Sequence, residues 1–170
     1  VQIPSAKSRL SAYPHELSGG MRQRAMIALA LACSPKLLLA DEPTTALDAT
    51  VQIQILLLLR QLQRELGMSI IFVTHDVGVA TEIADELAVM YAGKIVEIGD
   101  VADVIKKPAH PYTQGLLSST VNSGSKGKRL EVIGGSPPDM SKLFKGCAFS
   151  PRCKKVLDQC WHQKPAPESL

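Results

Sequence analysis

The feature that most constrains this chain is an apolar run that ends in two adjacent acids. The stretch LLLADEPTTALD, residues 37–48, places three leucines and an alanine directly before Asp41 and Glu42. A short apolar run bounded by polar residues and a proline is typical of a buried strand in a parallel sheet. A second apolar run, SIIFVT at residues 69–74, is followed by His75. Buried strands need helices to cover them, so the pattern predicts a layered α/β fold with a largely parallel sheet.

The segments between these strands carry the periodicity of helices. Residues 48–67 predict a long helix with Asp48 as its N-cap and Gly67 as its C-terminal stop. ELAVMYAGKIVEIGD, residues 86–100, predicts a β-hairpin that turns at Ala92 and Gly93. Other helices are expected at residues 21–33, 75–85 and 101–108.

The polar residues at the strand ends predict a site. Ligands of α/β sheets bind outside the carboxyl ends of the strands, where Asp41, Glu42 and His75 would converge if the two strands are neighbours. Adjacent strand residues point to opposite faces, so one acid could hold a cation while the other acts on a water molecule. A carboxylate-held Mg²⁺, a carboxylate base and an imidazole would suit phosphoryl transfer. The alternative is that the acids solvate a strand end and the histidine caps a helix.

A glycine-containing loop, LSGG, precedes the first long helix. The backbone N–H groups of Ser18, Gly19 and Gly20 and the helix N-terminus can bind an anion, and glycine lets a phosphate approach the backbone. An ordinary turn with an N-cap explains the same residues if they are taken alone. The two acids and the histidine further along the chain favour the phosphate site.

Four motifs of this sequence resemble those of ATP-binding cassette (ABC) ATPases in both order and spacing, over residues 10–100. LSGGM resembles the signature loop, which usually reads LSGGQ, and LLLADE resembles the Walker B strand. Ala46–Asp48 resembles the D-loop, and His75 the switch histidine. The resemblance implies the C-terminal half of a P-loop nucleotide-binding domain with part of its helical subdomain, binding ATP and Mg²⁺.

The same resemblance implies a role for each residue around the hydrolytic centre. Asp41 would support Mg²⁺, directly or through water. Glu42 would be the general base that orients the attacking water, and His75 would contact the γ-phosphate.

A second group of residues is implied to act across a dimer of ATPase subunits. Ser18 and Gly20, with Gly19 in the same nucleotide-binding loop, would bind the γ-phosphate of ATP held by the other subunit. Asp48 would link the two sites. Met21 stands where the family usually has glutamine, at a position behind the ligand-contacting residues.

The C-terminal part resembles one branch of the family. HPYTQGLL and GCAFSPRCKKVLDQC are similar to the extension of the ATPase subunits of dipeptide and oligopeptide importers, a group that includes nickel importers. In those relatives four cysteines hold an iron–sulfur cluster, and Cys147, Cys153 and Cys160 match the first three. A [4Fe–4S] cluster or another metal is therefore expected here. Three reduced thiols without metal are the alternative.

These motifs divide the chain into three expected parts. Residues 1–35 would be the helical subdomain with the signature loop, residues 36–108 the ATPase core, and residues 109–170 the importer-type extension. The polar stretch NSGSKGKR, residues 122–129, would be a linker within the last part. No G-x-x-x-x-G-K-S/T loop occurs in the sequence. That loop would lie upstream of Val1, so the chain is expected to be a fragment that is inactive by itself.

Composition and motifs together define the expected partners. The formal net charge is only +3 and the basic residues are scattered, which gives no electrostatic case for nucleic acid. The resemblance implies a second ABC ATPase subunit, two transmembrane permease subunits and, indirectly, an extracytoplasmic peptide-binding protein. The expected location is the cytoplasmic face of the cell membrane. Two alternatives to an importer subunit are a cysteine-ligated metal-binding or docking module and a soluble ABC ATPase of another kind. The single cassette and the cysteine-containing extension argue against the soluble ATPase.

Overall fold

The computed structural model describes residues 1–119, 132–141 and 144–169. The expected linker at residues 122–129 lies outside the described residues. The chain divides into two compact units, Val1–Ile83 and Ala84–Leu170. The three-part division predicted from the sequence follows family motifs rather than compactness and stays a prediction.

The first unit is built around a pair of parallel strands. β1 (Leu37–Asp41) and β2 (Ser69–Val73) are adjacent, with Leu37 opposite Ser69 and Asp41 opposite Val73. The two predicted strands are therefore neighbours, and their carboxyl ends meet at one edge. The helices of this unit are α1 (Ala6–Arg9), a 3₁₀ turn (Pro14–Glu16), α2 (Gly19–Leu31), α3 (Ala49–Leu66) and α4 (Val77–Ile83).

One face of this strand pair carries the core of the first unit. Ile55, Leu58 and Leu59 share one face of α3 because they lie three and four residues apart. Ile55 and Leu59 are fully buried, and each stabilises the unit by about 1.5–3 kcal/mol. They pack with Leu38 of β1 and Ile27 of α2. This packing fixes the positions of β1 and α3, and therefore of residues 42–48 that connect them.

Both predicted ends of α3 are confirmed. The Asp48 carboxylate accepts a hydrogen bond from the Val51 backbone N–H at 3.0 Å, which satisfies one of the free donors of the first turn. Gly67 ends the helix with φ of 62°, a left-handed conformation that glycine adopts without steric cost.

The second unit starts with the predicted hairpin. β3 (Glu86–Tyr91) and β4 (Lys94–Asp100) are antiparallel, and the turn lies at Ala92 and Gly93, as predicted. Among the described residues of this unit, the further elements are α5 (Val101–Lys106), α6 (Pro111–Ser119) and two 3₁₀ turns (Ser150–Arg152 and Asp158–Trp161).

α6 begins within the HPYT motif, and a carboxylate of β4 holds its start. Glu97 accepts hydrogen bonds from the backbone N–H groups of Ala109 and His110, at 2.7 and 3.0 Å. The ring of Tyr112 lies 4.6 Å from that of Tyr91 and 5.5 Å from that of Phe149, between ring centroids. The motif thus joins the hairpin to the C-terminal segment, and its role in the structure is to pack the second unit.

Candidate functional site

The candidate site lies at the carboxyl edge of the β1–β2 pair, where Glu42 follows β1. The Glu42 backbone N–H donates to the Val73 carbonyl at 2.9 Å, which extends the ladder by one hydrogen bond. Its φ is 46°, in the left-handed region that residues other than glycine rarely adopt. The chain therefore turns sharply at the acid itself, and the tertiary hydrogen bond holds it there.

Glu42 and His75 form a polar pair that joins the ends of the two strands. His75 Nδ1 lies 2.6 Å from Glu42 Oε1, as expected for neighbouring strands that each end in a polar residue. The hydroxyl of Thr45 donates to the other carboxylate oxygen of Glu42. The His75 side chain is 78% exposed and that of Glu42 36% exposed, so a ligand can reach both.

These contacts shift both pKa values in the direction that favours charge. The hydrogen bond from Thr45, followed by that from His75, lowers the pKa of Glu42. The hydrogen bond to Glu42 and the charge of that carboxylate raise the pKa of His75 above its ordinary value of 6.5. An ionised carboxylate beside a readily protonated imidazole suits hydrolysis of an anionic ester or anhydride.

Asp41 ends β1 with its side chain exposed, one residue before the pair. Over residues 1–119, 132–141 and 144–169, no three His, Cys, Asp or Glu side chains gather into a metal-binding group. This donor set fits Mg²⁺ only in its usual protein form, in which one or two carboxylates act together with the phosphate oxygens of a nucleotide.

The glycine loop forms the N-terminus of α2, as expected. Ser18 is the N-cap, and its hydroxyl accepts from the Met21 backbone N–H at 3.3 Å. A Cβ added to Gly20 would come within 2.6 Å of Val51 Cγ1, and one added to Gly19 within 3.2 Å of Leu47 Cδ2. The absence of side chains therefore lets the start of α2 lie directly against the start of α3.

The expected D-loop residue Asp48 lies at that same contact. Its carboxylate caps α3, while the neighbouring residues Leu47 and Val51 touch the glycine loop. Within the first unit, the predicted site residues thus form two groups. Glu42 and His75 touch directly, and Ser18–Gly20 adjoin the segment that contains Asp48.

Sequence reasoning missed two residues of this arrangement. Thr45 was not singled out, although a threonine three residues after an acid that ends a strand is well placed to turn back and donate to it. Val51 looked like an ordinary apolar position of α3, and nothing in the sequence indicates that its methyl group meets Gly20.

The three clustered cysteines belong to the second unit and are free thiols, each partly buried. The described residues do not assemble Cys147, Cys153 and Cys160 into a metal-ligand set. The structure therefore gives no support to the expected iron–sulfur cluster.

Two family models match the chain. The model described as "ABC transporter" matches residues 1–45, and the model described as "Oligopeptide/dipeptide transporter, C-terminal region" matches residues 96–160. The part of the chain that the structure describes contains no helix with both the length and the apolar character of a membrane span.

Curated relatives and solved structures agree with these matches. The chain is 52% identical to the oligopeptide transport ATP-binding protein OppD of Salmonella typhimurium, over 97% of the chain and 49% of that protein. It is 50% identical to AppD, an oligopeptide transport ATP-binding protein of Bacillus subtilis, over 98% of the chain and 51% of the relative. The chain thus spans about half the length of the curated relatives it matches.

A structural match comes from Clostridium perfringens cbiO1, part of the ABC transporter complex cbiONQ. It has a TM-score of 0.52 and 38% identity, and it covers 55% of this chain and 37% of that one. The predicted α/β fold of the P-loop, ABC type is therefore confirmed for a partial domain. With its motifs, its contacts at the strand ends and these relatives, the chain belongs to the family of ABC transporter ATP-binding proteins of the oligopeptide and dipeptide transporter type.

Proposed function

We propose that this chain is part of the ATP-hydrolysing subunit of an ABC importer for dipeptides or oligopeptides. The observation that carries the proposal is the Glu42–His75 contact of 2.6 Å at the carboxyl edge of the β1–β2 pair. The names of the relatives support the substrate class, because proteins 52% and 50% identical to this chain are oligopeptide transport ATP-binding proteins.

In this proposal Glu42 is the general base. Its two oxygens accept from Thr45 and interact with His75, and each carboxylate oxygen retains a further lone pair for a water molecule. His75 is exposed and prone to protonation, so it can hold the γ-phosphate while it also orients Glu42. Asp41 would hold Mg²⁺ directly or through water, and a bound Mg²⁺ would neutralise charge that develops on the transferred phosphoryl group.

The glycine loop serves a second ATPase subunit in this proposal. The free N–H groups at the start of α2 suit the γ-phosphate of a nucleotide held by that subunit, with Ser18, Gly19 and Gly20 as its contacts. Asp48 lies beside the glycine loop and would link the two nucleotide sites across the dimer. The subunit would work at the cytoplasmic face of the membrane with two permease subunits and, indirectly, a peptide-binding protein.

The proposed parts of the subunit follow the sequence motifs. Residues 1–35 would belong to the helical subdomain, residues 36–108 to the ATPase core and residues 109–170 to the importer-type extension. The proposal includes no iron–sulfur cluster, because the described residues do not gather three thiols. For the same reason, the described residues do not support the alternative that the chain is a metal-binding module without ATPase activity. Only a transport measurement would distinguish a nickel importer from a peptide importer.

The decisive experiment is Glu42→Gln in the complete importer ATPase. The amide preserves the shape of the side chain but cannot accept a proton from water, so turnover should fall about 10²- to 10⁴-fold. ATP binding, measured with a fluorescent analogue, should stay unchanged. Glu65→Gln makes the same chemical change at an exposed position of α3 and should keep full activity. Near-normal turnover in Glu42→Gln would show that another residue is the base.

A further inference from the structure

The three clustered cysteines are not equivalent in the structure. The backbone N–H of Cys147 donates to the carbonyl of Cys160 at 2.8 Å, so the two residues are direct neighbours across the segment. Both thiols are reduced and partly buried. A backbone hydrogen bond of this kind brings two residues close enough for their Cα atoms to fit the separation of roughly 4.4–6.8 Å that a disulfide requires.

Two further contacts press the Cys147 and Cys160 backbones together. The Ser150 hydroxyl donates to the same Cys160 carbonyl at 2.9 Å. A Cβ added to Gly146 would come within 2.2 Å of the Cys160 carbonyl oxygen, which is closer than real Cβ atoms approach. The glycine before Cys147 therefore permits a backbone contact that any side chain would push apart.

Cys153 is held in a turn of its own. Its sulfur accepts a hydrogen bond from the Lys155 backbone N–H at 3.3 Å, and its own N–H donates to the Ser150 carbonyl. These local bonds hold Cys153 through its neighbours in sequence, whereas a direct backbone hydrogen bond joins Cys147 to Cys160.

We propose that Cys147 and Cys160 are a redox-sensitive pair that forms a reversible disulfide, while Cys153 remains a thiol. With hydrogen peroxide as oxidant, one thiolate attacks the peroxide O–O bond, which gives a sulfenic acid and one water molecule. The second thiol then attacks the sulfenic sulfur, forms the S–S bond and releases a second water molecule. Two thiols lose two electrons to the peroxide, and a dithiol reductant reverses the step.

The folded structure, rather than sequence distance, selects this pair. In an unfolded chain shorter loops close more readily, so the pairs 147–153 and 153–160 would form before the pair 147–160. Preference for the longer loop is therefore a signature of the backbone contact. The bond would also consume two of the three thiolates that a metal could use, so the disulfide and a thiolate-ligated metal exclude each other.

Trypsin offers a direct test on this chain itself. Arg152, Lys154 and Lys155 separate the three cysteines, so each falls in a different tryptic peptide. The chain, carrying Cys33→Ser to remove the exposed thiol of the first unit, would be treated with a chelator and then with hydrogen peroxide. Digestion without reductant should give one linked product that joins residues 146–152 to the peptide containing Cys160. Its mass should be lower by two hydrogen atoms than the sum of the separate peptides, and reductant should release them.

Three variants and one condition make the result specific. Cys153→Ser should retain the linked product, and Cys160→Ser should lose it. Gly146→Ala should slow its formation, because the added methyl group separates the two backbones. In denaturant the preference should move to pairs that include Cys153. The proposal fails if the folded chain gives links to Cys153 in equal or greater amount, or gives only unlinked oxidised thiols. The proposed ATPase function does not enter this test, so the two can fail separately.

Discussion

Glu42 combines an uncommon backbone conformation with two side-chain hydrogen bonds. A left-handed φ at a residue other than glycine costs of order 1–3 kcal/mol and persists only where the surroundings hold it. Here the Val73 carbonyl holds the backbone, while Thr45 and His75 hold the carboxylate. Three independent contacts on one acid are more than strand-end solvation needs, which is why the residue suits a catalytic role.

The first residue-scale prediction concerns the titration of His75. The carboxylate of Glu42 raises the pKa of His75 above 6.5 in the folded chain. In Glu42→Gln the carboxylate is lost, and the midpoint should fall back toward 6.5. NMR of the imidazole ring protons against pH measures both values, and His75→Gln assigns the resonance. An unchanged midpoint in Glu42→Gln would mean that the two side chains do not interact in solution.

The second residue-scale prediction concerns His110, which precedes α6. Its Nδ1 accepts from the Tyr112 backbone N–H at 3.1 Å, so the neutral ring caps the helix. Burial lowers the pKa of His110 below 6.5, although the nearby charge of Glu97 acts in the opposite direction. A depressed pKa means that the folded state binds fewer protons than the unfolded state. The contribution of this cap is therefore present above pH 6.5 and is lost as the pH falls through the folded value.

Thermal denaturation between about pH 8 and pH 5 measures this effect. His110→Asn is the matched variant, because asparagine can accept the same backbone hydrogen bond but does not titrate. The loss of stability on acidification should be smaller in His110→Asn than in the native chain. Equal losses in both chains would assign the acid sensitivity to other groups.

At the scale of elements, the decisive contact joins the first turns of α2 and α3. Alanine favours a helix over glycine by about 1 kcal/mol, so Gly20→Ala would stabilise α2 if the site were open. The added Cβ meets Val51 Cγ1 instead, and overpacking typically costs about 1–3 kcal/mol. We therefore expect Gly20→Ala to destabilise the chain, and Val51→Ala to reverse that effect in the double variant.

Urea denaturation of the four chains gives the coupling free energy between the two positions. Contacting residues typically couple by about 0.5–3 kcal/mol, and the double variant should be more stable than the two single changes predict. If Val51→Ala also restores turnover to Gly20→Ala in the complete ATPase, position 20 requires glycine because of packing. If the second change restores stability but not turnover, position 20 requires glycine because a phosphate must approach the backbone. Additive effects on stability would contradict the contact.

The sequence predicted best those elements whose signals are local. β1, β2, α3 and the hairpin turn all follow from apolar periodicity, an N-cap and glycines. The meeting of Glu42 and His75 followed from one rule about parallel strands. α6 was missed because its start depends on Glu97, a carboxylate more than ten residues away on β4. Val51 was missed for the same reason, since a contact between two helices leaves no periodic mark in either.

At the scale of the whole molecule, the β1–β2 pair has one face covered and one exposed. Leu38 and Ala40 are buried on the face that packs on the helices. On the other face Leu37, Leu39, Ile71 and Val73 are 48%, 69%, 51% and 49% exposed. Parallel sheets are almost always covered on both faces. We infer that in the proposed complete ATPase the rest of the nucleotide-binding domain covers this face, which the relatives' double length can supply.

This inference predicts how the isolated chain behaves. Exposed apolar patches cause association and bind hydrophobic dyes, so the chain should show both properties through the open face. Leu39 and Ile71 are cross-strand partners on that face, and Leu39→Lys/Ile71→Glu places opposite charges side by side there. The double change should lower dye binding and association in ultracentrifugation while the helical circular dichroism signal stays. The partners Leu38 and Ile70 lie on the covered face, and Leu38→Lys/Ile70→Glu should unfold the unit because it buries charge. If the first variant unfolds as readily as the second, or keeps its dye binding, the face is not open in solution, and the inference that the rest of the nucleotide-binding domain covers it is wrong.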